Sequence, residues 1–188
     1  FQRSLQAGAE VAEAGANFVT YGIVPDYPAT GYGYIQRADK HSDPHGVECF
    51  NVDSFKEKPD LATAEKFLES GEYLWNSGIF VWRAATILDA LAQHEPAMSA
   101  HLETIAAAHG SANFQAIFSS EFTALTGKSI DYAVMERADN TAVVASDFGW
   151  SDIGSWKAIS ELYESDESGN RIKGKAVMVG STDCFVQS

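Results

Sequence analysis

Apolar residues recur at helical spacing at the start of the chain. Phe1, Leu5, Ala9 and Ala12 share one face, which predicts a helix over 1–14, with Gly8 a weak point inside it and Gly15 suited to a left-handed cap. The pattern then changes. Residues 17–23, from Asn17 to Ile23, are β-branched and aromatic without alternation, as in a strand covered on both faces. Pro25, Pro28 and Gly31 break the chain into a loop. Strands are expected over 32–38 and 47–58, separated by a polar hairpin-like loop over 38–46. In the second strand Val47, Cys49, Asn51 and Asp53 fall on one side and Phe50 and Val52 on the other. Ala64, Phe67 and Leu68 mark a helix over 63–70 that stops at Gly71, and a turn and strand follow over 73–82.

Helical spacing returns over 84–94 (Ile87, Leu88, Leu91), over the alanine-rich 97–109, over 114–122 and over a short 130–137. A strand is expected over 141–145, a loop over 149–154, and a helix over 156–163 capped by Ser155. Two short strands, over 175–179 and 184–186, close the chain and read as the first rung of something that continues. Mixed strands and helices in irregular order give an α/β class with a mixed central sheet.

Composition narrows the partners. The 188 residues carry a net charge of −13, so the chain should repel nucleic acid and anionic lipid, and any phosphate it binds needs a local cation or backbone amides. No apolar run reaches membrane-spanning length, and the first residues lack a signal-peptide pattern. Cys49 and Cys184 have no motif spacing and read as reduced, half-buried thiols of a cytoplasmic protein. Phe1 opens directly on a helix. This suggests a chain that begins inside a larger protein, the alternative being one trimmed at its start.

Four stretches carry candidate chemistry. Glu57 and Lys58 place opposite charges where a strand stops, and Pro59 should hold Lys58 extended and end the ladder. Such carboxyl ends of strands are where open α/β sheets put ligands, although Glu-Lys pairs also serve solubility. Thr30-Gly31-Tyr32-Gly33-Tyr34-Ile35 would let a ligand approach the backbone closely, or is simply a turn into a strand. Trp75-Asn76-Ser77-Gly78-Ile79-Phe80 offers polar groups to a polyol beside an apolar wall, or is a tight turn. Asp152, between Gly149 and Gly154, could hold a hard cation or cap a helix. His41, Asp43 and His45 lie in a polar loop with no fourth zinc ligand evident. Asp131 and Glu136, five apart on a helix, should not share a face.

Together these stretches become specific. With Tyr21-Gly22-Ile23-Val24-Pro25, Ser129-Ile130-Asp131-Tyr132-Ala133-Val134-Met135-Glu136 and Trp150-Ser151-Asp152-Ile153-Gly154-Ser155-Trp156, they occur in the order in which they occur in the sugar-phosphate nucleotidyltransferases. The chain resembles that family, and within it the bacterial guanylyltransferases of mannose 1-phosphate, some of which are fused to a phosphomannose isomerase. The departures are small: Lys56 stands where the family often has valine, and Ala29 where it often has glutamate.

The resemblance implies a Rossmann-like, glycosyltransferase-A-like domain. Residues 1–165 would be its C-terminal, sugar-phosphate-binding part, and 166–188 a linker and the first strands of a β-solenoid-like region. It also implies roles. Lys58 would bind the sugar 1-phosphate and Glu57 accept sugar hydroxyls. Tyr32, Gly33, Asn76 and Gly78 would line the sugar pocket, and Asp152 would be one of two aspartates that hold Mg2+, so that Lys58 and Asp152 are the implied catalytic residues. The family's glycine-rich triphosphate signature is not among the 188 residues. The implied reaction is attack of a mannose 1-phosphate oxygen on the α-phosphorus of GTP, with pyrophosphate leaving. This chain would supply the sugar-phosphate half, be inactive alone, and belong to a homo-oligomer. The alternatives are a relative using another sugar 1-phosphate or nucleotide, and a non-catalytic sugar-phosphate-binding module.

Overall fold

The structure, a computed structural model, describes residues 1–15 and 18–188. It divides into two compact units, Phe1–Phe148 and Gly149–Ser188. No helix among the described residues is long and apolar enough to cross a membrane.

The first unit opens with helix α1, Gln2–Ala14. Gly15 ends it with φ −148° and ψ 174°, so the expected left-handed cap is replaced by extended backbone leading toward the next strand. Asn17, expected to begin that strand, lies outside the described residues; β1 runs Phe18–Ile23. Strand β2 spans Gly33–Ser42 and β3 spans Cys49–Glu57, joined by a 3-10 turn at Pro44–Gly46. The polar stretch after Ala38 is thus strand rather than loop, because it pairs across to Phe50 and Cys49. Helix α2, Leu61–Ser70, is capped by Asp60, whose carboxylate accepts the Thr63 N–H at 2.8 Å, and ends at Gly71 with φ 68°. Strand β4 spans Tyr73–Val81. Helices α3 (Ala84–His94), α4 (Pro96–Ala107), α5 (Phe114–Ala124) and α6 (Ile130–Ala133) follow, with a 3-10 turn at Met135–Arg137, and then strand β5, Thr141–Ser146.

The mixed central sheet expected from the sequence forms, and it closes into a five-stranded barrel in the order β1-β4-β2-β3-β5. Within this barrel, among the described residues, β1–β5 is the parallel pair and the other pairs are antiparallel. Closure follows from the long β2–β3 hairpin. Its register shifts between Gln36 and Arg37, Arg37 and Lys40, and Lys40 and Ser42, and such bulges bend a ribbon and increase its twist. One end of the hairpin pairs with β4 through Tyr34–Gln36, and the other reaches β5 through Cys49–Asn51.

The alternation of side chains sorts two cores to the two faces of the β1–β5 pair. Phe18 and Val143 join Ile35, Phe55, Leu74, Ala90 and Met135 in one cluster. Val19, Tyr21, Ala142 and Val144 join Ala7, Val11 and Ala12 of α1 and Cys49 in the other. Gly8 is the helix position that lies against Tyr21: a Cβ there would collide with the phenol oxygen and stand 2.9 Å from Cζ. Cys49 is buried and Cys184 exposed, both as free thiols.

The second unit holds helix α7, Trp156–Glu161, with Ser155 accepting the Ala158 N–H as expected, and two strands, β6 (Arg171–Lys173) and β7 (Phe185–Gln187), paired in parallel. The strand expected over 175–179 does not form: Gly174 turns the chain with φ 111°, and Val177 and Val179 are 92% and 84% exposed.

Candidate functional site

Strand register brings Gly33, Glu57 and Asn76 to one end of the barrel. Gly33 opens β2 opposite Glu57, the last residue of β3. Tyr34 pairs with Trp75, so the neighbouring Asn76 lies beside Gly33. Across β4, Asn76 pairs with Gly22 of β1. A Cβ on Gly33 would stand 2.5 Å from Glu57 Oε2, 3.2 Å from Asn76 Cβ and 3.3 Å from Phe55 Cζ. An added methyl here would force the Glu57 carboxylate to shift.

Lys58 departs from the expectation set by Pro59. Its φ is 45°, left-handed rather than extended. In a regular strand Glu57 and Lys58 would point to opposite faces. The left-handed residue, with its N–H still donating to Tyr32 O at 3.2 Å, turns the side chain back, and Nζ lies 3.5 Å from Glu57 Oε1. The pair is unequal: the Lys58 side chain is 57% exposed and that of Glu57 10%. A non-glycine residue in this region costs roughly 1–2 kcal/mol, and such strain gathers at functional sites.

Glu57 Oε2 is buried with no hydrogen-bond partner among the described residues. Burial pushes its carboxyl above the ordinary glutamate range; Asp131 and, more weakly, Glu136 push the same way, and Lys58 opposes them. Its backbone N–H donates to Glu136 Oε1 at 3.1 Å. Asn76 is 8% exposed and closely held. Its Oδ1 accepts from Thr20 Oγ1 at 2.9 Å and Gly78 N at 3.2 Å, and its Nδ2 donates to Asp131 Oδ1 at 3.1 Å. The turn expected in this stretch is instead an irregularity within β4: Gly78 takes φ 72°, with open space where a Cβ would sit, where the register against β1 shifts.

An aromatic wall stands next to this cluster. Trp75, 5% exposed, has its ring centroid 4.8 Å from that of Tyr27 and 5.1 Å from that of Tyr32. The Tyr27 hydroxyl donates to the Tyr32 hydroxyl at 3.2 Å. Trp75 Nε1 is buried without a hydrogen-bond partner among the described residues.

The cluster also gathers carboxylates that the helical spacing separates. Asp131 and Glu136 do not lie on one regular helix. The helix breaks at Val134 (φ −127°, ψ −54°), and both carboxylates reach the Glu57–Asn76 region. Thr20, fully buried on β1, joins them as a further polar member. The signal for Asp131 and Glu136 is their place in the 129–136 stretch; nothing in the sequence marks Thr20.

Asp152 lies in the second unit, exposed, in the loop between Gly149 (φ 69°) and Gly154. One exposed carboxylate fits the least that Mg2+ asks of a protein, since this ion fills its shell largely with water and phosphate oxygens. Among the described residues no group of three or more His, Cys, Asp or Glu is placed to hold a metal ion. Where β2 passes into the 3-10 turn, His45 Nε2 pairs with Glu10 Oε2 at 3.2 Å and Asp43 with Lys40 at 3.1 Å.

Residues 1–169 match the family model described as nucleotidyl transferase. A mannose-1-phosphate guanylyltransferase of Escherichia coli K12 is 40% identical over 187 residues, 99% of this chain and 39% of that protein. The xanthan biosynthesis protein XanB of Xanthomonas campestris is 40% identical over 185 residues, 98% of this chain and 38% of its own length. The chain therefore spans about two-fifths of the curated relatives it matches. Among solved structures, one from Thermus thermophilus, described as a mannose-1-phosphate geranyltransferase, superposes with a TM-score of 0.79 at 30% identity, covering 98% of this chain and 52% of that one. One from Helicobacter pylori, described as a mannose-6-phosphate isomerase, gives 0.65 at 29% identity, covering 80% and 57%.

Proposed function

Since the chain belongs to the nucleotidyl transferase family, we propose that it supplies the sugar-phosphate half of a site that transfers GMP from GTP to α-D-mannose 1-phosphate. The observation that carries this reading is the pair Glu57–Lys58: a buried carboxylate with one unpartnered oxygen beside a half-exposed ammonium. A sugar phosphate presents the complementary set, hydroxyl donors next to a dianion. Lys58 meets the phosphate, Glu57 Oε2 accepts a hydroxyl, Asn76 donates from its remaining N–H, and Gly33, Gly78, Tyr32 and Trp75 shape the pocket wall.

In the reaction an oxygen of the mannose 1-phosphate forms a bond to the α-phosphorus of GTP as the bond to the bridging oxygen of the leaving pyrophosphate breaks. The attacking phosphate is already about −1.5 to −2 at neutral pH, so it needs no general base. Lys58 holds and orients it and offsets its repulsion from the triphosphate. Mg2+, which Asp152 would help hold, supplies further neutralisation of phosphate charge. Residues 1–165 form the sugar-phosphate part in this reading, and 166–188 lead into a solenoid-like region. The protein is cytoplasmic and homo-oligomeric in this reading.

The test is a substrate screen on the native protein, crossing GTP, ATP, CTP and UTP with mannose, glucose and galactose 1-phosphates, read as pyrophosphate release. Best turnover with GTP and mannose 1-phosphate supports the reading, and another best pair redirects it to a relative with different substrates. No turnover with any pair, together with binding of the sugar phosphate, identifies a binding module. The 188-residue chain by itself is expected to release no pyrophosphate.

A further inference from the structure

Asn76 is anchored by Thr20, Gly78 and Asp131, and its orientation is not arbitrary. The backbone N–H of Gly78 can only donate, so the atom 3.2 Å from it is the amide oxygen. The carboxylate of Asp131 offers an acceptor on the opposite side, 3.1 Å from Nδ2. Thr20 Oγ1 lies 2.9 Å from the same oxygen and 3.2 Å from Ile79 O, with one hydrogen to share between them. Oδ1 is turned to these donors and one of the two Nδ2 hydrogens is used, so what is left for a ligand is a single N–H.

We infer that Asp131 is a positioning residue for the sugar pocket: by taking one hydrogen of Asn76 it fixes the amide so that Asn76 meets the ligand only as a donor. The inference rests on the reading of this pocket as a sugar-phosphate site. Its chemical consequence is a matched pair. The remaining Asn76 N–H and the unpartnered Glu57 Oε2 belong to the two side chains that border Gly33, whose absent side chain would have touched each of them. One hydroxyl of the sugar can accept from Asn76 and donate to Glu57 together. If the amide flipped, it would set an oxygen beside a carboxylate, and the hydroxyl would face two acceptors with one hydrogen to give.

Asp131 lies on the short helix before Val134, and the break there brings Glu136 to the same region. The short helix Ile130–Ala133 is anchored below by Ala133, Val134 and Met135, which are buried in the main core. Asp131 itself is only partly buried, so its carboxylate can be changed without opening that core.

The test compares Asp131→Ala with Asp131→Asn in the native protein, reading KM separately for mannose 1-phosphate and GTP. The amide of Asp131→Asn still has an oxygen to accept the Asn76 N–H, whereas alanine has none. Asp131→Ala is expected to raise the mannose 1-phosphate KM about 10-fold, the worth of a hydrogen bond to a charged group. The GTP KM should stay within about twofold, and Asp131→Asn should restore the sugar-phosphate KM to within about threefold of wild type.

A set of mono-deoxy mannose 1-phosphates gives a second readout. The hydroxyl whose removal hurts the wild type most should matter little in Asp131→Ala. If the alanine variant does not fold, Asp131→Ser, too short to reach Asn76, takes its place in the same comparison. Equal losses in the alanine and asparagine variants, or an unchanged sugar-phosphate KM in the truncated variant, overturn the inference. A wild-type protein that does not use mannose 1-phosphate overturns the pocket reading itself, and the inference with it.

Discussion

Glu57 and Lys58 are adjacent in sequence, yet their charged ends meet: Lys58 Nζ lies 3.5 Å from Glu57 Oε1 because Lys58 takes a φ of 45°. The energetic signature of that turn can be separated from its chemical one. Lys58→Gly and Lys58→Ala both remove the ammonium, but only glycine occupies the left-handed region without strain. Lys58→Gly is expected to be more stable than Lys58→Ala by about 1 kcal/mol in denaturant titration, while the two lose sugar-phosphate binding equally.

The raised Glu57 carboxyl gives a pH-dependent difference in stability. Its native pKa lies above the ordinary 4.5, through burial first and the Asp131 charge second. The native state therefore holds its proton to higher pH than the unfolded chain does. Between the ordinary value and the raised one the native state binds more protons, so this group's contribution to stability falls as pH rises through that window and is level above it. Glu57→Gln removes that fall. The melting temperature of Glu57→Gln minus that of wild type should increase from about pH 4 upward, near the ordinary carboxyl range, and then flatten. A difference that shrinks as pH rises would contradict the burial of this carboxylate.

Gly33→Ala should damage the pocket and the fold together. The new methyl would stand 2.5 Å from Glu57 Oε2 and 3.3 Å from Phe55 Cζ. The carboxylate must move, which costs about 1–3 kcal/mol as an overpacked site and displaces the acceptor. Loss of sugar-phosphate affinity is expected to exceed any loss of GTP affinity, measured by calorimetry on the native protein.

Tyr21 makes a contrasting prediction on the opposite face of the sheet. Its hydroxyl is fully buried, has no hydrogen-bond partner among the described residues, and burial with the nearby Cys49 pushes its pKa up to about 12. Tyr21→Phe removes an unsatisfied group and is expected to be neutral or stabilising by up to about 1 kcal/mol. Gly8→Ala drives a methyl into the same phenol and should destabilise. Tyr21→Phe should relieve part of that cost, leaving the contact with Cζ at 2.9 Å, and a double-mutant cycle of melting curves checks the coupling.

Local pattern made most elements legible. The stop at Gly71, the Ser155 cap and the helix over 84–94 depend on neighbouring residues and could be read directly. Barrel closure was not legible, because it depends on bulges spaced along the β2–β3 hairpin that leave no mark in hydrophobic alternation. The same divide runs through the site. Gly33, Glu57, Lys58 and Asn76 occur in recognisable motifs, and the register of the barrel strands brings them together. Asp131 reaches Asn76 across 55 positions of sequence and Glu136 joins it past a break in the helix, and the left-handed turn at Lys58 runs against the preference that Pro59 imposes.

The central claim is that Glu57 and Lys58 hold the sugar phosphate and not the nucleotide. Steady-state kinetics of Lys58→Ala in the native protein tests it most directly. The account predicts that KM for mannose 1-phosphate rises at least about 10-fold, the loss of one charge-assisted contact, with KM for GTP within about twofold of wild type. Equal increases for both substrates, or an increase for GTP alone, would contradict it.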